Sequence, residues 1–219
     1  IDVVASYPDP EYTELRKHIA AYTRCLAEQV IVGNGCTELI SLFIQVLKPR
    51  EALIVSPTYS EYEREITLVH GEVLHYALQE TLDFRLDIDA FTSALKDGID
   101  LCVICNPNNP TSTALTPEEM RRIFTCCKEH HIFALIDETY AEFAPEEISV
   151  SSTGLLKEFD NFAILRGTSK FFAAPGLRLG YAMTSNTALL QTIRDTQNPW
   201  SVSTLADIAG SYMFTDTDY

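Results

Sequence analysis

Thr168-Ser169-Lys170-Phe171-Phe172-Ala173-Ala174-Pro175-Gly176-Leu177-Arg178-Leu179-Gly180-Tyr181 sets one lysine eight residues before one arginine, in a loop ahead of a strand-like run. A protein that holds an aldehyde covalently while gripping a phosphate needs this combination. A lysine amine condenses with a carbonyl only when neutral, so it needs a site that favours the neutral form. Arginine clamps a phosphate with a fixed fork of donors that lysine cannot imitate. For an isolated Lys/Arg pair, a solvated surface loop is the ordinary explanation. Two further segments change that balance.

The first is Asn106-Pro107-Asn108-Asn109-Pro110-Thr111, directly after the apolar run Leu101-Cys102-Val103-Ile104-Cys105. The second is Ala134-Leu135-Ile136-Asp137-Glu138-Thr139-Tyr140. Each reads as a short buried strand ending in polar residues, and in open α/β sheets ligands bind at the carboxyl ends of strands. An aspartate there can pair with a protonated pyridine nitrogen and keep a ring electron-poor. A Schiff-base lysine with an aspartate partner is the mark of pyridoxal-phosphate enzymes.

With these residues in place, the chain resembles the fold-type I pyridoxal-phosphate enzymes of the class I/II aminotransferase superfamily. Within it, the chain looks most like the branch holding histidinol-phosphate aminotransferases and threonine-phosphate decarboxylases. The resemblance runs from Tyr7-Pro8-Asp9-Pro10 to Pro199-Trp200-Ser201-Val202, and its three motifs occur in the family's order. It implies pyridoxal 5'-phosphate as cofactor and Lys170 as the lysine that carries it. Asp137 matches the pyridinium partner, and Asn106 with Tyr140 the pair that hydrogen-bonds the cofactor's 3-oxygen. Arg178 and Ser169 match phosphate ligands, and Tyr59 the aromatic that stacks on the ring. Gly35, Cys36 and Thr37 match the turn whose amides cradle the phosphate. Tyr7 matches a tyrosine that reaches the neighbouring subunit's phosphate, which implies a homodimer.

Elementary chemistry agrees with that correspondence. Gly33-Asn34-Gly35 follows Val30-Ile31-Val32 and precedes an amphipathic stretch, Thr37 to Leu47. A glycine turn opening a helix points free N–H groups and the positive dipole end at an anion. It is not the longer glycine fingerprint of dinucleotide sites. Net charge is −15, which repels nucleic acid and membrane surfaces, so anionic substrates need a locally positive pocket. No run is long or charge-free enough to span a membrane, and the start does not read as a signal peptide. The six cysteines suit buried thiols in a reducing, cytoplasmic compartment. Cys102 and Cys105 have zinc-like spacing, but an odd offset in a strand puts them on opposite faces, and no metal site is expected.

Helix and strand patterns alternate along the chain. Glu11 to Glu28 reads as an amphipathic helix, with Leu15, Ile19, Tyr22 and Leu26 near one face. Ala52 to Ser56 and Val73 to Leu78 read as buried strands, Ile88 to Lys96 as a helix and Leu101 to Cys105 as a strand. Thr116-Pro117-Glu118-Glu119 carries an N-cap, a first-position proline and first-turn acids, opening a helix to about His130. Ile132 to Ile136, Phe162 to Leu165 and Leu179 to Met183 complete the strands. Alternating βα units predict an α/β fold, a three-layer αβα arrangement around a mainly parallel sheet. The expected division is an N-terminal segment and helix over residues 1–30 and the cofactor-binding large domain over 31–219. Relatives carry a further small C-terminal domain with the arginine for the substrate α-carboxylate. That domain is expected to be missing here, with Tyr219 falling in a helix or at its exit. If these 219 residues are the whole molecule, weak cofactor binding and little turnover are expected.

The substrate implied is a phosphorylated amino acid or amine. Tyr7 to Leu15, Lys48 to Val55 and Asn198 to Val202 look more like threonine-phosphate decarboxylases of cobalamin biosynthesis. Histidinol-phosphate aminotransferases more often place tyrosine where Trp200 stands. The reading therefore leans to L-threonine O-3-phosphate decarboxylation, with the aminotransferase as the alternative. A sensor domain of this fold on a DNA-binding regulator is disfavoured by the acidic charge. Two departures stand out: Gly167 occupies a position where relatives often carry a hydroxyl, and Ser112 replaces the glycine that commonly follows Asn-Pro-Thr.

Overall fold

A computed structural model of the chain describes residues 5–216. Seven strands form one sheet: β1 (Val30–Gly33), β2 (Glu51–Ser56), β3 (Glu72–Ala77), β4 (Leu101–Cys105), β5 (Phe133–Asp137), β6 (Phe162–Gly167) and β7 (Gly180–Met183). Their order is β1-β7-β6-β5-β4-β2-β3, parallel except where β7 runs antiparallel to both neighbours. The sheet is therefore mainly parallel, as the alternating pattern predicts. The parallel strands end on one edge, where Asp137 stands opposite Cys105 and Gly167 opposite Gly180.

Helices cover both faces. On one side lie α1 (Thr13–Thr23), α4 (Ile88–Ala94), α5 (Pro117–Glu129) and α7 (Thr204–Met213), which contribute Leu15, Phe91, Phe124 and Ala206 to one core. On the other lie α2 (Gly35–Leu47), α3 (Glu61–Leu68) and α6 (Thr187–Thr196), which contribute Phe43, Tyr62 and Ile193 to a second core. The period-2 pleat divides each strand between the two: Cys102 and Ile104 face the first core, Val103 and Cys105 the second. The opposite-face reading of the two cysteines follows from that alternation. Among the described residues, no helix is long and apolar enough to cross a membrane.

Helix α5 shows how directly local chemistry sets an element. The Thr116 side chain accepts from the Glu119 amide, Glu119 reaches back to the Thr116 N–H, and a proline occupies the first turn. Three expectations need correction. The helix expected over Glu11 to Glu28 stops at Thr23, because Arg24 turns into the left-handed region at φ 58°. Leu26, expected on its apolar face, is consequently exposed. The strand at Val73 is not buried: β3 is the edge strand, paired with β2 alone, and its residues are half-exposed or exposed. Helices α3 and α6 are not among the expected elements. The expected helix or exit at Tyr219 lies outside the described residues.

Candidate active site

A cavity of about 250 Å³ opens at the carboxyl edge of the sheet, between the start of α2 and the loop after β6. Gly35 opens α2 at φ +79°, a conformation that favours glycine. By position, the amides of Gly35, Cys36 and Thr37 have no acceptor within the helix. A Cβ on Gly35 would lie 2.5 Å from Arg178 Nη2, so the glycine lets the guanidinium rest on the helix N-terminus. A Cβ on Gly180 would lie 2.6 Å from the Cys36 nitrogen, so a second glycine lets α2 approach β7. Among the described residues Arg178 makes no ion pair; its Nη1 reaches the Pro175 carbonyl at 3.5 Å. An unpaired guanidinium beside free helix amides is a built anion cradle, and Thr37 and Ser169 line the same cavity.

Lys170 also lines the cavity, its Nζ 6.0 Å from the centre of the Tyr140 ring. Among the described residues it too makes no ion pair. Asp137, at the end of β5, is 5% exposed and faces the cavity. Its Oδ2 accepts from the Tyr62 hydroxyl at 2.6 Å, and its Oδ1 from the Thr139 amide at 2.9 Å and the Thr139 hydroxyl. Tyr59 lines the cavity 40% exposed, held edge-on against Tyr62. The loop carrying it is pinned by Asn108, whose amide donates to the Pro57 carbonyl at 3.0 Å and accepts from the Thr58 hydroxyl at 2.9 Å. Cys36 and Cys105 also line the cavity, and burial pushes each thiol up to about 12. Both remain thiols near neutrality and supply no thiolate nucleophile.

Most of the expected residues thus meet at one cavity: Gly35 beside Cys36 and Thr37, Tyr59, Asp137, Tyr140, Ser169, Lys170 and Arg178. Asn106 does not. It is fully buried, its amide donates to the Leu115 and Val150 carbonyls, and its oxygen accepts from the Leu115 amide. The pleat explains the correction: Cys105 faces the cavity, so the next residue points the other way. Asn109, three residues on, lines the cavity instead. Tyr7 is also outside this cavity. It is 78% exposed and lies against Trp200, ring centres 4.7 Å apart and tilted by 34°, at a separate surface hollow.

The two departures in sequence have local counterparts. A Cβ on Gly167 would lie 2.8 Å from Cys36 Sγ, so the glycine and the cysteine accommodate each other. Ser112 adopts φ 58°, the left-handed conformation that its missing glycine would take without strain.

Behind the site, on the other face of the sheet, Arg166 and Glu138 form a buried cluster. Arg166 Nη2 donates to Glu138 at 2.7 Å, Glu147 at 2.6 Å and the Ser151 hydroxyl at 2.7 Å, and Nη1 lies 3.5 Å from Glu142. Burial lifts the Glu142 carboxyl from its ordinary 4.5 to about 6, the Arg166 charge opposing the shift. A carboxyl raised by folding binds its proton more tightly in the native state. Stability therefore falls as pH rises from about 4.5 through 6, by about 2 kcal/mol from this group. Urea unfolding across that window is expected to show the decline in the parent protein and to lose it in Glu142→Gln; an equal slope in both would contradict the assignment.

Comparison with known proteins accords with this geometry. The family model described as aminotransferase class I and II matches residues 2–218. A threonine-phosphate decarboxylase from Salmonella typhimurium is 36% identical over 219 residues, covering 99% of this chain and 59% of its own. A histidinol-phosphate aminotransferase from Macrococcus caseolyticus is 30% identical over 220 residues, covering 100% of this chain and 61% of its own. The crystal structure of the histidinol-phosphate aminotransferase from Clostridium acetobutylicum superposes with TM-score 0.91 at 31% identity, covering 100% of this chain and 63% of that one. The chain spans about three-fifths of the length of these relatives. With the family's motifs gathered at one cavity and its model matched along nearly the whole chain, the protein belongs to the class I and II aminotransferase family.

Proposed function

We propose that the protein is a pyridoxal-phosphate enzyme that acts through Lys170 on a phosphorylated amino acid, removing carbon dioxide from L-threonine O-3-phosphate. The observation that carries the cofactor reading is the convergence of Lys170, Asp137 and the unpaired Arg178 on one cavity. The donor set fits the group. Arg178, Ser169 and the α2 amides would hold its phosphate, Asp137 its ring nitrogen, Asn109 and Tyr140 its ring oxygen, and Tyr59 its face. When bound, pyridoxal phosphate supplies an electron sink for the pair left on the substrate α-carbon when a bond to it breaks.

The protein's own residues do the rest. Asp137, buried and accepting three hydrogen bonds, would face the ring nitrogen and hold a proton on it. Lys170 would hold the cofactor's aldehyde carbon, and its free amine would carry a proton to the substrate α-carbon. Loss of carbon dioxide breaks the bond between the α-carbon and the carboxyl carbon, and that proton replaces it. Tyr7, exposed beside Trp200, would reach the phosphate of a second copy in a homodimer.

Decarboxylation is supported by the 36% identity to the Salmonella enzyme and by Trp200. Amino-group transfer from histidinol phosphate is the second reading, favoured by the 0.91 superposition. The full-length protein, loaded with cofactor and given L-threonine O-3-phosphate without 2-oxoglutarate, is expected to release carbon dioxide continuously. Glutamate formed from histidinol phosphate and 2-oxoglutarate, without such release, would establish the second reading instead.

A further inference from the structure

Asp137 is held from two directions. Thr139, two residues further along the same segment, gives Oδ1 its amide and its hydroxyl. Oδ2 is held from elsewhere: the Tyr62 hydroxyl, on α3 and 75 residues away in sequence, donates to it at 2.6 Å. Donors from one short segment leave a carboxylate free to tilt about that segment. A donor from a separately packed helix fixes its plane. Tyr62 is fitted for this, being fully buried with its ring locked in the second core. Its ring also meets Tyr59 edge-on, centres 5.6 Å apart at 82°.

We propose that Tyr62 is a positioning residue that aims Asp137 into the cavity and biases the shared proton toward the ring nitrogen of the bound cofactor. The proposal rests on the cavity being the pyridoxal-phosphate site. Two consequences follow from the geometry. With Oδ1 accepting two donors and Oδ2 one, a single lone-pair site remains, on Oδ2, and its direction is fixed. A donor to the anionic form of a carboxylate also stabilises that form, so the proton between Asp137 and a ring nitrogen rests on the nitrogen. Burial, followed by the neighbouring Asp137 charge, holds the Tyr62 phenol well above its ordinary range. It therefore keeps its proton and acts as donor throughout the working pH range. Through its contact with Tyr59, the same residue braces the aromatic that covers the ring, so one side chain supports both the edge and the face of the cofactor.

Tyr62→Phe removes a single oxygen and keeps the ring, its packing and its edge contact. The full-length variant is expected to fold and to load pyridoxal phosphate with about tenfold weaker affinity, the scale of one hydrogen bond to a charged group. The pH at which the visible band of the loaded protein changes form is expected to move upward. A carboxylate with one donor fewer draws the ring proton toward itself, and less positive charge remains on the ring to promote loss of the second proton. A merely structural role would lower the melting temperature without moving that transition. Thr139→Val removes a donor from Oδ1 and is expected to shift the transition in the same direction, which keeps the test open if Tyr62→Phe does not fold. A folded Tyr62→Phe with the parent's affinity and the parent's pH transition would overturn the proposal. A parent protein with no visible band dependent on Lys170 would overturn the cofactor reading and the proposal with it.

Discussion

Lys170→Ala is expected to abolish the visible absorbance of the loaded protein and to lower turnover by about 10⁴-fold or more. The reason is that one side chain is proposed for two tasks: its amine would anchor the cofactor covalently, and when free it would be the lysine of the cavity available to carry a proton. Among the described residues no other lysine lines the cavity. Loss of the anchor alone would leave phosphate capture by Arg178 and the α2 amides intact, so the variant should still bind cofactor, reversibly and without the band. Comparison of absorbance and equilibrium binding separates the two tasks. Turnover within tenfold of the parent would contradict the role given to this residue.

Arg166→Met is expected to destabilise the fold by about 3–5 kcal/mol, measured by urea unfolding at pH 7. Arg166 is 1% exposed and Glu138 0%, and Glu142 is 5% exposed beside them. Without the guanidinium these carboxylates stay out of water with no cation. Domains of this kind are stable by about 5–15 kcal/mol, so the loss is a large share of the total. The cluster joins the end of β5 to β6, the strands whose continuations carry Tyr140 and Lys170, so partial unfolding here should also loosen cofactor. Arg166→Met combined with Glu138→Gln removes a buried charge with its partner and should recover part of the loss. A single-variant loss below about 1 kcal/mol would show that water reaches the cluster.

How far the sequence reveals this site depends on where each residue finds its partners. Lys170, Arg178, Asp137 and Tyr140 are legible because each sits at a fixed offset from a strand end, and strand ends converge at one edge of a parallel sheet. Asn106 is the instructive failure: Asn106-Pro107-Asn108-Asn109 offers three asparagines, and the path of the loop after β4, which nothing local announces, sets which one lines the cavity. Tyr62 carries no local signal at all, since its partner is 75 residues away and its helix was not expected. Arg166 and Glu138 lie just past the apolar runs, where charged residues ordinarily mark a strand's exit to solvent. Their mutual neutralisation across β5 and β6 is visible only in three dimensions. The early end of α1 has a similar origin, because nothing local marks Arg24 for a left-handed turn.

Lys170 is the residue proposed to carry the cofactor. Reduction of the pyridoxal-phosphate-loaded protein with borohydride, followed by peptide mass spectrometry, tests it most directly. The expected product is a phosphopyridoxyl group fixed on Lys170, in the peptide that follows Arg166. Label on other lysines only, or none after loading at saturating cofactor, would contradict it.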